Sequence, residues 1–324
     1  MPVRIGFIGT GGIAGAHFNN LEQIPDAKVV ALADISQERA EKAAQRFGGV
    51  AYTDAKRMLE TETLDAVYVC VPPHAHTSVE VLAAKMGLAL FVEKPLANNM
   101  KTAEKVAAAI AASGVITAVG YHFRYHEATA QVKTLLGVKG AAQPAMLYGR
   151  WLGGFPGVPW WRNYAQSGGQ LVEQATHVVD LMRYLAGDIV KVYCAASLLE
   201  MNKVYPDATS PDVTALTLEF ASGAVGYAST ASLLGGVGET GVDVFVKDGR
   251  YDVLGNTLKV ITASEQHTYT YRNNPYLDED KAFIKAVKTK KPAGIKSDYF
   301  DALKTLRVTL AANQSAETGK PVKV

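Results

Sequence analysis

Along the first 120 residues the apolar positions gather into short, mostly continuous runs at 3–8, 29–34, 66–71, 89–92 and 115–119. Runs of strand length without alternation predict parallel strands covered on both faces. Between them, 13–24, 37–47, 55–59, 75–85 and 100–112 show helical spacing with many Ala, Glu and Lys. Repeated strand–helix units with short connections predict a doubly wound parallel sheet. Beyond residue 120 the pattern changes. Segments 121–136 and 169–185 read as helices, and the aromatic, Gly- and Pro-rich RWLGGFPGVPWWRNYAQSGG between them reads as a long shaped loop. From 189 to 271 the signals are strand-like, and the alternation in VTALTLEF and HTYTY predicts a largely antiparallel sheet with one polar face. Helices at 277–288 and 299–315 close the chain. The class is therefore α/β: a Rossmann-type first domain over 1–120, then an α+β domain over 121–324 with a large open sheet. The closing helices are free to pack back on the first domain.

The turn after the first strand carries the first chemical signal. Gly9-Thr10-Gly11-Gly12-Ile13-Ala14 fits G-x-G-x-x-A between a strand and a helix. Gly9 permits a tight turn, and Gly11 lets backbone approach a pyrophosphate at the helix N-terminus, where free N–H groups and the helix dipole favour anions. A plain strand–helix turn uses glycine too, so the context matters. Asp34 ends the second strand, where a carboxylate accepts hydrogen bonds from the adenine-ribose hydroxyls and repels a 2′-phosphate. That favours NAD, while Arg39 one helical turn on leaves NADP open. The bland role for Asp34 is capping of the helix ahead of it. The cofactor set expected from the turn is Gly9, Gly11, Gly12, Ile13 and Asp34.

At the end of the fifth strand stands Phe91-Val92-Glu93-Lys94-Pro95. The carboxyl ends of strands are where an open α/β sheet places ligands, and a lysine there can hydrogen-bond a substrate oxygen as hydride moves. A lone strand-end lysine is ordinarily just solvated.

The order GTGGIA, VPPHAHTSV, EKPLA and SGGQLVEQATHVVDLMRYLAG resembles the glucose–fructose oxidoreductase / inositol dehydrogenase / MocA family nearly end to end, including the closing F-x-x-A-V and S-x-x-x-G-K-P-V patterns. The resemblance implies a nicotinamide-dependent oxidoreductase acting on a secondary alcohol of a polyol, sugar or cyclitol, and a homodimer or homotetramer joined through the C-terminal sheet. It makes Lys94 the catalytic lysine and puts the family's aspartate–histidine pair on Glu173 and His177. The i, i+4 spacing would place both on one helical face. The family's nicotinamide-side histidine falls on His76, with Pro72, Glu93 and Lys94 beside it in the cofactor set. Val71 and Pro73 replace the usual threonine and asparagine there, and Glu173 stands where aspartate is common. Expected substrate contacts are Lys94, Tyr121, Arg124, Trp161, Arg162, Glu173 and His177. Trp161 and Arg162 could equally form an aromatic plug holding a loop. Relatives that oxidise a sugar transiently during glycoside cleavage, and dinucleotide-responsive regulators on the same scaffold, are the rival readings.

Composition removes other classes. Lys+Arg 33 against Asp+Glu 31 gives +2, too balanced for a polyanion binder, so no nucleic acid partner is expected. Cys70 and Cys194 sit in apolar runs and read as reduced, buried thiols. The apolar start is broken by Gly6 and Gly9, and no run reaches membrane-spanning length, so a soluble cytoplasmic protein with no membrane partner is expected. Glu173, His177 and Asp180 at i, i+4, i+7 could be a polar stripe or a metal site, but no further ligand cluster completes a shell, and no metal is expected. His17, His122 and His126 have no spacing that singles them out, and read as structural or surface histidines.

Overall fold

A computed structural model describes residues 1–76 and 78–324. It divides into one unit of Met1–Ala97, Lys101–Tyr121 and Asn274–Leu303, and another of Asn98–Met100, His122–Asn273 and Lys304–Val324. The first unit is thus not one run of chain, because the helix Pro275–Thr289 returns to it.

In the first unit β1 (Val3–Ile8), β2 (Ala27–Ala33), β3 (Val50–Tyr52), β4 (Ala66–Val69), β5 (Ala89–Val92) and β6 (Thr117–Val119) form a parallel sheet ordered β3-β2-β1-β4-β5-β6. The order reverses beside β1, so the carboxyl ends of β1, β4 and β5 form the switch point where such sheets bind ligands. The continuous apolar runs are buried as expected for strands covered on both faces. Phe7, Tyr68 and Phe91 stand in register across β1, β4 and β5, with ring centroids 4.8 and 4.6 Å apart. Such pairs add about 0.5–1.5 kcal/mol each beyond area burial.

In the second unit β7 (Met146–Leu152), β8 (Ile189–Ser197), β9 (Val213–Phe220), β10 (Val225–Ala231), β11 (Glu239–Val246), β12 (Gly249–Leu254), β13 (Thr257–Thr262), β14 (Gln266–Thr270) and β15 (Val322–Lys323) form a sheet ordered β14-β13-β12-β11-β7-β10-β9-β8-β15. The β7–β10 pair is parallel and the remaining pairs are antiparallel. Leu216, Leu218 and Phe220 of β9 pack into the core with Val178, Met182 and Leu185, while Ala215, Thr217 and Glu219 point away from it. No helix among the described residues is long and apolar enough to cross a membrane.

Four expectations are corrected. β7 starts ahead of what read as a loop and runs into it over residues 150–152, because its Gly149-Arg150 pair masks the apolar signal; the loop itself holds two single turns, Pro159–Arg162 and Tyr164–Ser167. The segments 75–85 and 121–136 each open with a separate 3-10 turn, Pro73–Ala75 and His122–Tyr125, before the α-helices Ser78–Lys85 and Glu127–Gly137. His126, at φ −58° and ψ 134°, is extended and divides the latter pair. The three-residue β3 was too short to register as a run. Finally, 169–185 is two helices, Gly169–Glu173 and Thr176–Ala186. The Gln170 carbonyl accepts from both Gln174 N (3.1 Å) and Ala175 N (2.9 Å), and His177 N turns to Gln174 O. This wide turn inserts a residue, as π-type bulges do.

Helix Thr176–Ala186 lies directly on β7: a Cβ at Gly149 would stand 2.4 Å from Val178 Cγ1 and 2.7 Å from Met182 Sδ. Gly149→Ala must therefore push the helix away, and is expected to lower the unfolding free energy by about 1–3 kcal/mol in urea denaturation. A loss below a few tenths would show that the helix is not held this closely.

Candidate functional site

The glycine turn has the geometry its residue types require. Gly9 sits at φ +88°, and a Cβ there would lie 2.3 Å from the Cys70 carbonyl oxygen of the neighbouring strand's end. Only glycine combines that conformation with that approach. Gly11 is the N-cap of the helix Gly12–Leu21, has no capping side chain, and a Cβ on Gly11 or Gly12 would meet nothing within 4 Å. Free amides at a helix start beside open space form a cradle for a phosphate group. Ile13 follows on the same first turn, and Ala14 is fully buried against the sheet.

Asp34 is buried at the end of β2. Its Oδ2 accepts from Thr10 N and Thr10 Oγ1, both at 3.0 Å, and its Oδ1 from Ser36 N (2.9 Å) and Arg39 Nη2 (2.7 Å). Burial pulls its pKa upward, but Arg39 and the Ser36 and Thr10 donors outweigh this and hold the carboxyl below its ordinary range. Asp34 is thus ionised and braces the glycine turn, while the helix cap proper is Ser36, accepting from Arg39 N at 3.4 Å. The Arg39 side chain is half exposed.

At the end of β5, Lys94 precedes a cis peptide to Pro95. Glu93 turns inward: its Oε1 meets His17 Nε2 at 3.0 Å and its Oε2 accepts from Lys94 N at 3.1 Å. His76, next to the Pro73–Ala75 turn that Pro72 caps, is buried with Nδ1 2.7 Å from Glu80 Oε1. Its Nε2 is buried with no partner among the described residues, which suits a ligand-facing imidazole. Tyr121, just past β6, is fully buried.

In the second unit Glu173 and His177 are both buried, at opposite sides of the wide turn. They thus stand on two successive helices, Gly169–Glu173 and Thr176–Ala186, rather than within one continuous helix. His177 instead lies among rings: His122 at 4.6 Å edge-on, Phe123 at 4.9 Å and Trp151 at 5.9 Å nearly parallel. Arg124 is spent on Asp180 through two short hydrogen bonds, Nε–Oδ2 2.7 Å and Nη2–Oδ1 2.6 Å, and Thr305 also donates to Asp180. That buried pair braces the helix Thr176–Ala186. Arg162 lies over the Tyr205 ring at 4.2 Å and 3.4 Å from Asp207, and Trp161 stacks on Trp160. These contacts tie the loop to its own unit.

Residue spacing did not reveal His17, Asp280, Trp151 and Phe123. Trp151 and Phe123 carried a usable signal, since an aromatic in a strand and another in a turn flank the helix that bears the histidine. His17 carried none, because its partners lie far along the chain.

Residues 3–121 match the family described as "Oxidoreductase family, NAD-binding Rossmann fold", and residues 129–256 match "GFO/IDH/MocA C-terminal domain". Myo-inositol 2-dehydrogenase of Thermotoga maritima is 28% identical over 334 residues, covering 99% of this chain and 98% of that protein. The scyllo-inositol 2-dehydrogenase (NAD(+)) of Bacillus subtilis is 26% identical over 344 residues, covering 99% and 96%. A levoglucosan dehydrogenase solved with NADH and levoglucosan superposes with a TM-score of 0.91 over all of both chains at 21% identity, a likeness of fold.

Asp34→Ser tests the expected ribose role, because it removes a carboxylate that would accept from the ribose hydroxyls and repel a 2′-phosphate. Fluorescence titration is expected to show NADH binding weakened about ten-fold or more, roughly 1.4 kcal/mol, with NADPH binding weakened less or improved. Equal weakening of both would place the carboxylate's role in the turn alone.

Proposed function

The chain belongs to the Gfo/Idh/MocA oxidoreductase family, and from that premise we propose an NAD-dependent dehydrogenase that interconverts a secondary alcohol and a ketone on a sugar, sugar derivative or cyclitol. The observation that carries this reading is the Gly9–Gly12 cradle with ionised Asp34 beside it, in a chain that aligns over nearly its whole length with inositol dehydrogenases. Gly9, Gly11, Gly12 and Ile13 would hold the pyrophosphate, Asp34 the adenine ribose, and Pro72, His76, Glu93 and Lys94 the nicotinamide half. When bound, NAD supplies the acceptor for the hydride.

The chain's own residues then handle the oxygen and its proton. Lys94 donates a hydrogen bond to the reacting oxygen, and His177 takes the hydroxyl proton, leaving the carbonyl. Glu173 orients that imidazole, and the rings of Phe123 and Trp151 hold it flat. Tyr121, Arg124, Trp161 and Arg162 are assigned to substrate on the family likeness. For Arg124 and Arg162 that role is indirect, through Asp180 and through the loop that Tyr205 and Asp207 secure.

The test is NAD⁺ reduction, followed by absorbance, across aldoses, inositols, sugar acids and sugar phosphates. Lys94→Ala and His177→Ala are each expected to lower kcat about 10²–10⁴-fold on any substrate the parent oxidises. Retention of activity within a few-fold in both would overturn the assignment. Tight NAD⁺ binding without lasting reduction would shift the reading to transient oxidation or to sensing.

We also propose a homodimer or homotetramer through the second sheet. Tyr193, Val225 and Tyr227 are 41%, 52% and 42% exposed on its uncovered face, and Tyr148 stacks on Tyr227 at 4.3 Å. Light scattering is expected to give at least twice the 34.6 kDa chain mass, falling in Tyr227→Lys. A monomeric parent would contradict this.

A further inference from the structure

The first unit buries a charge cluster that the proposed reaction does not use. His17, on the helix that follows the glycine turn, is fully buried. Its Nδ1 lies 2.8 Å from Asp280 Oδ1 and its Nε2 lies 3.0 Å from Glu93 Oε1. Asp280 belongs to the returning helix Pro275–Thr289 and also accepts from Tyr68 Oη at 3.1 Å and Asn20 Nδ2 at 2.9 Å. Carboxylates only accept, so an imidazole with one at each nitrogen has to carry both protons. Burial opposes that charge, but Asp280 and Glu93 overcome it and raise the His17 pKa well above its ordinary value. The charge is thus in place through acid and neutral pH and is lost only as pH rises through the folded-state pKa.

The remaining groups around His17 fit this count. Glu279, one residue before Asp280, is buried with neither carboxyl oxygen partnered among the described residues. Burial first, and then Glu93, raise its pKa well above the usual range, which favours its neutral form. His17, Glu93 and Glu279 hold donor atoms within 4.8 Å of one another, a spacing that could suit a metal ion. With both imidazole nitrogens protonated, however, no ring lone pair remains for one.

We propose that His17 is a positioning residue: bridging Asp280 and Glu93, it fixes the Glu93 carboxylate, which in turn fixes the backbone amide of Lys94. The cofactor-turn helix, the end of β5 and the returning helix are thereby locked together around the lysine that the proposed reaction uses. The functional half of this inference rests on that reading of Lys94; the structural half does not.

The test uses the intact protein. ¹⁵N NMR of the histidine rings at pH 8 is expected to show both His17 nitrogens protonated. In His17→Asn, hydrogen exchange of the Lys94 amide is expected to quicken at least ten-fold, with peptides of the second unit unchanged. With a substrate that the parent oxidises, kcat is expected to fall about 10–100-fold while the KM for NAD⁺ stays within three-fold. The kcat losses of His17→Asn and Glu93→Gln should not add, because the first acts through the second. Asp280→Asn, which keeps the shape at Nδ1 and removes the charge, serves if the Asn variant fails to fold, and predicts the same exchange change. A neutral His17 ring, Lys94 exchange within two-fold of the parent in a folded variant, or one tightly bound metal ion per chain by elemental analysis would each overturn the proposal. If Lys94→Ala leaves turnover intact, the reading of Lys94 fails on its own, and the exchange result still decides whether His17 fixes that backbone.

Discussion

The His17 imidazole lies between two carboxylate oxygens at 2.8 and 3.0 Å, wholly out of water, and much of the first unit follows from that constraint. A buried ion costs several kcal/mol unless its partners are fixed and their own lone pairs satisfied. Asp280 meets the condition through Tyr68 and Asn20, and Glu93 through the Lys94 amide. Tyr68 is also the middle ring of the Phe7–Tyr68–Phe91 row. The apolar core and the charge cluster therefore share one side chain, and a shift in either is felt at the carboxyl ends of β4 and β5.

The same economy recurs in the second unit. Arg124 and Asp180 neutralise each other inside the protein, with Thr305 filling a remaining acceptor position. This fixes the helix Thr176–Ala186 from one side while Gly149 admits it from the other. His177 is presented at the start of that helix, edge-on to His122 and parallel to Phe123 and Trp151, with little freedom to turn. The proposed proton transfer to His177 would draw on such a pre-set ring, since a proton acceptor works best when it already points at the proton it takes.

What could be read from the amino-acid order was local. Gly9 announces the turn because its positive φ and the approach of the Cys70 carbonyl leave no other choice, and the continuous apolar runs announce the central strands. β7 was hidden because Gly149 and Arg150 break its apolar pattern, although both are buried for reasons of packing and charge pairing. The wide turn at Gln174 was hidden because its hydrogen bonds, not its residue types, distinguish it from an ordinary helix. His17 and Asp280 are 263 residues apart, and no spacing rule along the chain connects them.

The central claim is that the cradle formed by Gly9–Gly12 and Asp34 holds a nicotinamide dinucleotide. Calorimetric titration of NAD⁺ into the intact protein tests it most directly. The account predicts saturable binding at one site per chain, lost when Gly11 is replaced by Val, whose branched side chain would fill the open space over the helix start. Absence of binding at millimolar NAD⁺ and NADP⁺, or binding indifferent to that replacement, would contradict it.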